Sequence, residues 1–246
     1  MDAVEYELMD RVEGSMWWYL AVHANIAAML EKYLRAPSGD LLDAGCGTGG
    51  FLARASTAFP RMSLFGLDFD PGAAKRAAAK SGAAVATGTV NALPFANASF
   101  DAILSIDVLC HQSVDPAAAL AEVRRCLKPG GVLVINLPAF EWLRSDHDMR
   151  VHTARRYTRA EVRDLLTTAG LSILAADYWN SLPFPLMVLR RKVFRPKDAA
   201  SDVQDYSAPV NRLFSGVMAT ERALTRSGIR FPFGGSVMAA AMKPNG

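Results

Sequence analysis

The sequence predicts an α/β fold of the doubly wound kind, a mostly parallel sheet with helices on both faces. Three observations point there. From Asp40 to residue 137, short apolar runs alternate with helix-forming stretches. The first run ends in a turn holding Gly45, Gly47, Gly49 and Gly50. Hydrophobic residues make up 51% of the 246 and charged residues 21%, a balance that buries a large core without staples and excludes disorder, collagen and coiled coil.

Residues 1–40 read as helical, because Tyr6, Met9 and Val12, then Ala21, Ile26, Ala27, Met29, Leu30, Tyr33 and Leu34 recur at helical spacing. Pro37-Ser38-Gly39 ends that run. Between its two stretches lies Met16-Trp17-Trp18-Tyr19, an aromatic cluster that serves either as core or as a lid excluding water from a ligand. Strands are expected at 41–44, 63–67, 83–87, 102–106 and 132–137, with helices at 51–59, 72–80 and 117–127 between them. A polar stretch follows Pro138, then a helix over 159–169 stopped by Gly170, and a strand over 171–178. Residues 181–231 hold two apolar-basic helical stretches separated by a surface loop at 197–209, and Ser236–Met242 reads as a last strand. The expected organisation is one domain. Its core is 40–180 with 232–244, its N-terminal helical cap is 1–38 and its helical insertion is 181–231.

Several classes are excluded early. A net charge of +3 is too mild to imply nucleic acid. Cys46, Cys110 and Cys126 form no C-x₂-C pair and have no zinc spacing to histidine, so no metal is expected and a reduced, cytoplasmic setting fits. Residues 1–13 are acidic where a secretory signal is basic. No uncharged apolar run approaches the ~18 residues of a membrane span.

The candidate chemistry sits at strand ends. In 41–50, LLDAGCGTGG, the glycines let a ligand touch the backbone directly. Gly45, Gly47 and Gly50 also fit the dinucleotide fingerprint, which keeps a NAD(P)-dependent oxidoreductase open as the alternative. Asp43, two residues before the first glycine, suits a cationic ligand and would repel a pyrophosphate. In 64–71, LFGLDFDP, Asp68 stands where a carboxylate accepts from both ribose hydroxyls, Phe69 covers an adenine face and Asp70 caps the next helix. A polar group in 90–95, VNALPF, would read an adenine edge.

These segments, with SFDAILSIDVLCH at 99–111 and LKPGGVLVI at 127–135, resemble the ordered motif set of class I S-adenosylmethionine (SAM)-dependent methyltransferases, in the branch acting on quinones and small molecules. The resemblance implies a Rossmann-like sheet whose last strand, Ser236–Met242, is antiparallel and lies next to the fifth. It implies SAM as cofactor, with Asp43, Gly45, Cys46 and Gly47 around the methionine part and Asp68 on the ribose. Phe69 and Ala92 would flank adenine, Asn91 would read its edge, and Ile106 and Asp107 would close the pocket. Asn91 departs from the aspartate common in the family. The flanks, Trp17-Trp18-Tyr19, the segment from Trp142 to Thr158 and the tail 232–244, also resemble a subset of these enzymes.

On the acceptor side, methyl transfer to a hydroxyl gains from a base, and histidine is the natural one near neutral pH. His147 and His152 are the candidate catalytic residues, with Asp148 placed to orient an imidazole. His111 ends the fourth-strand segment, either near the methyl or as packing. Arg155, Arg156 and Tyr157 offer donors to an anionic acceptor, and His23 reads as structural. The acceptor is expected to be a small or lipid-like molecule, with O-methylation favoured. The basic, apolar stretch 184–197 suits peripheral membrane contact or a homodimer surface. A non-catalytic SAM-binding or membrane-surface protein is the third reading.

Overall fold

The structure, a computed structural model, describes residues 3–36, 38–192 and 203–245. Two helices lead, α1 (Ala3–Val12) and α2 (Trp17–Tyr33). Then come β1 (Gly39–Ala44), α3 (Gly50–Ala58), β2 (Met62–Asp68), α4 (Pro71–Ser81), β3 (Ala84–Thr87), β4 (Phe100–Ile106), α5 (Pro116–Cys126) and β5 (Leu127–Pro138). After a 3₁₀ turn at Glu141–Leu143 follow α6 (Asp146–Arg150), α7 (Arg159–Thr168), β6 (Ser172–Trp179), α8 (Phe184–Lys192), α9 (Ala208–Arg226) and β7 (Ser236–Met242).

The seven strands form one sheet in the order β3-β2-β1-β4-β5-β7-β6. β1 to β5 pair in parallel, and β7 runs antiparallel to both β5 and β6. Val132 opposite Met242 and Pro138 opposite Ser236 set the β5–β7 register. That is the Rossmann-like sheet with an antiparallel last strand, as expected. β7 is inserted between β5 and β6, and its Val237, Ala239, Ala240 and Ala241 are fully buried. The small alanines let helices close on both faces of a central strand.

Both helical layers follow from local chemistry. Asp70 caps α4 by accepting from the Ala73 N–H at 2.8 Å, with Pro71 in the first turn. Asp115 caps α5 in the same way from Ala117, with Pro116 next. Thr158 and Glu161 form a reciprocal capping box that starts α7. One core cluster gathers Leu42, Ile103, Leu120, Leu133 and Leu166, and the other gathers Ile26, Leu30, Leu41, Leu52, Leu104 and Met238, on the opposite side of the sheet.

Several expectations change in detail. The aromatic cluster is not a break between helices: Trp17 is the first residue of α2, because Met16 turns the chain in an extended conformation and Asn211 of α9 accepts the Trp17 backbone N–H at 3.0 Å. Residues 127–131, ahead of the strand expected over 132–137, are the start of β5, with a register shift between Phe100 and Ala102. The polar stretch after Pro138 folds into the 3₁₀ turn and α6. Pro37 lies outside the described residues, as do Arg195, Lys197 and the first part of the expected loop at 197–209. No helix among the described residues is long and apolar enough to cross a membrane.

Candidate active site

The carboxyl ends of β1, β2 and β4 open into a cavity of about 650 Å³. This size suits a cofactor together with part of a second molecule. The glycine turn between β1 and α3 forms one wall. Gly45 has φ +93 and stands so close to Val108 that a Cβ would lie 2.2 Å from its Cγ2. Gly47 has φ +54 and faces Met9 of α1, whose Cε would be 2.7 Å from a Cβ. A side chain at either position would collide with these neighbours, and the positive φ is one that glycine adopts without strain.

Three carboxylates surround this turn. Asp43, at the end of β1, is 1% exposed, and its Oδ1 has no hydrogen-bond partner. Burial, reinforced by the charges of Asp68 and Glu13, pushes its pKa up to about 7. Asp68, at the end of β2, accepts the Gly47 N–H at 2.8 Å, the Asp70 N–H at 3.0 Å and the Tyr6 hydroxyl at 3.1 Å. Burial raises its pKa, and the two backbone donors oppose that rise. Glu13, just beyond α1, is buried at the start of α3, where it accepts from Thr48 Oγ1 at 2.8 Å and the Gly50 N–H at 3.1 Å and pairs with Lys80.

Glu13 decides between the two nucleotide readings. In a dinucleotide enzyme the pyrophosphate occupies the N-terminus of the helix after the glycine turn. Here the protein's own carboxylate holds that place, with Asp43 and Asp68 beside it, so a pyrophosphate meets three carboxyl groups where it needs donors. A sulfonium-bearing amino-acid ligand meets the opposite situation. The unpartnered Asp43 oxygen supplies the acceptor that its cationic groups need.

The comparisons agree with this geometry. Residues 42–135 match the methyltransferase domain family. The chain is 39% identical over 140 residues to a malonyl-acyl carrier protein O-methyltransferase of Dechloromonas aromatica, covering 54% of this chain and 52% of that protein. Among solved structures it is similar to geranyl diphosphate C-methyltransferase from Streptomyces coelicolor A3(2), with TM-score 0.59, 16% identity, and 89% and 79% of the two chains covered. It is also similar to Haemonchus contortus phosphoethanolamine N-methyltransferase 2, with TM-score 0.59, 18% identity, and 89% and 52% covered. Residues 42–135 are a methyltransferase domain, which supports a class I SAM-dependent methyltransferase. The family's methyl donor is SAM. The chain spans about half the length of the curated relatives it matches.

Most of the residues singled out for the cofactor come together. Asp43, Gly45, Cys46, Gly47, Asp68, Phe69, Ile106 and Asp107 all line the cavity. Phe69 lines it while 74% exposed. Asn91 and Ala92 do not line it. The Asn91 amide is spent within the fold: it donates to the Ser113 carbonyl at 3.0 Å and accepts the Asp115 N–H at 3.0 Å, tying the segment after β3 to the start of α5. Gly88, Thr89 and Val90 take their place in the lining. Asp107 ends β4 with φ +54, its carboxylate accepting from Asn136 Nδ2 at 2.8 Å, while Asn136 Oδ1 accepts from Trp179 Nε1 at 2.6 Å. Burial pushes the Asp107 pKa up to about 7, against the Asn136 hydrogen bond.

The acceptor-side candidates divide. Trp17, Trp18, Tyr19, His111, His147 and His152 line the cavity. Trp17 stacks on Phe214 of α9, with centroids 5.1 Å apart, and Trp18 lies 5.9 Å from Trp179. Arg156, although it touches the cavity, is an internal ion-pair partner. It is 8% exposed, its Nε and Nη2 reach Asp148 at 2.9 Å each, and Nη1 reaches the Ala139 carbonyl at 3.1 Å. Asp148 therefore orients Arg156. Burial alone would raise the Asp148 pKa, but Arg156 holds it below the usual carboxylate range. Tyr157 is buried outside the cavity, donating to the Leu109 carbonyl at 2.9 Å, and Arg155 lies exposed outside it. The segment 145–157 is pinned to the end of β4, with Gln112 N–H on the His152 carbonyl at 3.0 Å and Ala154 N–H on the Cys110 carbonyl at 2.7 Å.

Sequence reasoning missed several lining residues: Tyr6, Glu13, Asn180, Met187, Arg190, Tyr206 and Phe214. They stand on elements whose packing no local pattern reveals. Glu221 has such a hidden role. Buried on α9, it accepts the N–H groups of Asn180, Ser181 and Leu182 at 2.6, 2.7 and 2.8 Å and so shapes the turn after β6.

Proposed function

We propose that this methyltransferase transfers a methyl group from SAM to an oxygen of a small, partly apolar acceptor. The observation that carries the reading is the two-part lining of one cavity. Buried carboxylates and glycine backbone line one end, and Trp17, Phe214, Leu186 and Met187 line the rest together with His147, His152 and Arg190. Bound SAM would supply an electrophilic methyl carbon on a sulfonium. The chain's own part is to hold, orient, exclude water and accept a proton.

Asp43, Gly45, Cys46 and Gly47 would hold the methionine part, Asp68 the ribose, and Phe69 an adenine face. The rings at 17–19 would keep water from the reacting atoms. His147 or His152 would take the proton of an acceptor hydroxyl, and Arg190 would favour an anionic group on it. The relative named malonyl-acyl carrier protein O-methyltransferase supports oxygen as the nucleophile. Leu186 and Leu189 of α8 are 54% and 42% exposed beside Arg190 and Lys192, which favours collection of a lipid-like acceptor at a membrane surface.

The test has two stages. S-adenosylhomocysteine at about 100 times its Kd should stabilise the protein by about 2.7 kcal/mol, and NAD should not. Labelled SAM should then methylate members of a panel of hydroxy and carboxylic acids with apolar chains. Stabilisation by NAD alone, or product labelled on nitrogen or carbon, would overturn the respective part.

A further inference from the structure

His23 lies in α2, outside every motif of the family, and was expected to be structural. The structure puts it at 5% exposure in the cavity wall, with Nδ1 lacking any partner. The ring contacts are aromatic: edge-on to Phe51 at 5.6 Å and tilted against Tyr19 at 6.2 Å. Among the described residues no side-chain hydrogen bond forms to this imidazole. A neutral imidazole always carries one N–H and one bare nitrogen, and burying Nδ1 without a partner is costly whichever of the two it is. Burial, with a contribution from the Arg54 charge, pushes the His23 pKa down to about 3, so the ring is neutral near pH 7. Polar groups left unpaired inside a protein call for an explanation.

The position of the ring supplies one. Phe51 is the second residue of α3, so His23 borders the same glycine turn as Asp43, which holds another unpartnered atom of this cavity. The amino-acid end of SAM carries two opposite groups, an ammonium that only donates and a carboxylate that only accepts. Asp43 can only accept when ionised, which suits the ammonium. The carboxylate needs a donor away from the Asp43, Asp68 and Glu13 charges. Tyr19 is poorly placed for this, since Glu13, Asp107 and Glu5 all act on its hydroxyl. The Trp17 and Trp18 rings pack against Phe214 and Trp179. His23 offers such a donor, on the side of the turn where Arg54 adds positive potential.

We infer that the His23 N–H binds the carboxylate of the cofactor's amino-acid end, opposite Asp43 on the ammonium, so that the two side chains form a clamp for a zwitterion. The inference rests on the family's use of SAM. It also links the two halves of the cavity, because the helix that carries His23 begins with the Trp17-Trp18-Tyr19 wall.

Three ligands separate the groups by calorimetric titration: S-adenosylhomocysteine, decarboxylated SAM (ammonium without carboxylate) and 5′-methylthioadenosine (neither). His23→Phe should weaken S-adenosylhomocysteine by about tenfold or more while leaving the other two within about threefold. His23→Gln, whose amide nitrogen can donate, should recover most of the loss. Unchanged S-adenosylhomocysteine affinity in His23→Phe, or equal weakening of all three ligands, would overturn the assignment. If the wild type bound none of the three, SAM binding itself would be refuted. Retained methylthioadenosine affinity shows that each variant is folded.

Discussion

The Tyr6 hydroxyl donates to Asp68 Oδ1 at 3.1 Å, so a side chain of the first helix stands on the carboxylate assigned to the cofactor's ribose. The arrangement makes α1 a competitor of the ribose for one oxygen, while Gly47 and Asp70 hold the carboxylate in place. Asp68→Ala should weaken S-adenosylhomocysteine by about tenfold or more, through loss of a charged acceptor. Tyr6→Phe should leave that affinity unchanged or tighten it by a few-fold. Tenfold weakening in Tyr6→Phe would instead make the hydroxyl a ligand contact.

Cofactor binding should depend on pH through Asp43. Its pKa stands near 7 in the fold, against 3.8 as the ordinary value, because burial penalises the charge. The fold therefore binds a proton there that the unfolded chain releases, and this contribution to stability is present below about pH 4 and lost as pH rises through about 7. A cationic ligand needs the ionised form, so affinity for S-adenosylhomocysteine should rise toward pH 7 and then level off. Titrations from pH 5.5 to 8.5 check the sign, and Asp43→Asn should flatten the profile at lower affinity.

Arg156 and Asp148 should behave as structure rather than as acceptor-binding groups. Their side chains are 4% and 2% exposed and joined by two hydrogen bonds. Removing one partner of a buried pair leaves an uncompensated charge, so Arg156→Ala should cost about 3–5 kcal/mol in urea unfolding. An Arg156→Ala protein of undiminished stability but raised KM for the acceptor would reverse this assignment.

His147 and His152 should separate binding from turnover. Both line the cavity and neither belongs to the cofactor motifs. In His147→Ala and His152→Ala, affinity for SAM should stay within a few-fold while one of the two lowers kcat by about 10² or more. Full turnover in both variants would leave proximity as the whole of the catalysis.

The strand-helix alternation from Asp40 to residue 137 was legible because each step is local: period-two and helical runs, proline and aspartate caps, and glycines where φ turns positive. Asp43 and Asp68 were legible for the same reason, each being fixed by its distance from a strand end. Gly45 and Gly47 follow from the turn alone. The aromatic trio at 17–19 could be noticed but not assigned, since a core and a ligand wall use the same rings. Packing against Phe214 and Trp179 settles what those rings touch.

Other assignments depended on long-range partners. Asn91 carries a polar amide that local reading sends to a ligand, yet Ser113 and Asp115 consume it. Arg156 looks like an anion receptor until Asp148 is found eight residues back in a bidentate pair. Glu13 is one acid in an acidic helix until the fold carries it to the Gly50 N–H, 37 residues away, where it displaces the pyrophosphate reading. His23 is an apolar-face histidine until its ring neighbours, Phe51 and Tyr19, are found to leave its Nδ1 without a hydrogen bond. Backbone geometry is decided over a few residues and is written in the local pattern. The role of a buried polar side chain is decided by which distant group satisfies it, and only the packed tertiary structure brings that group into reach.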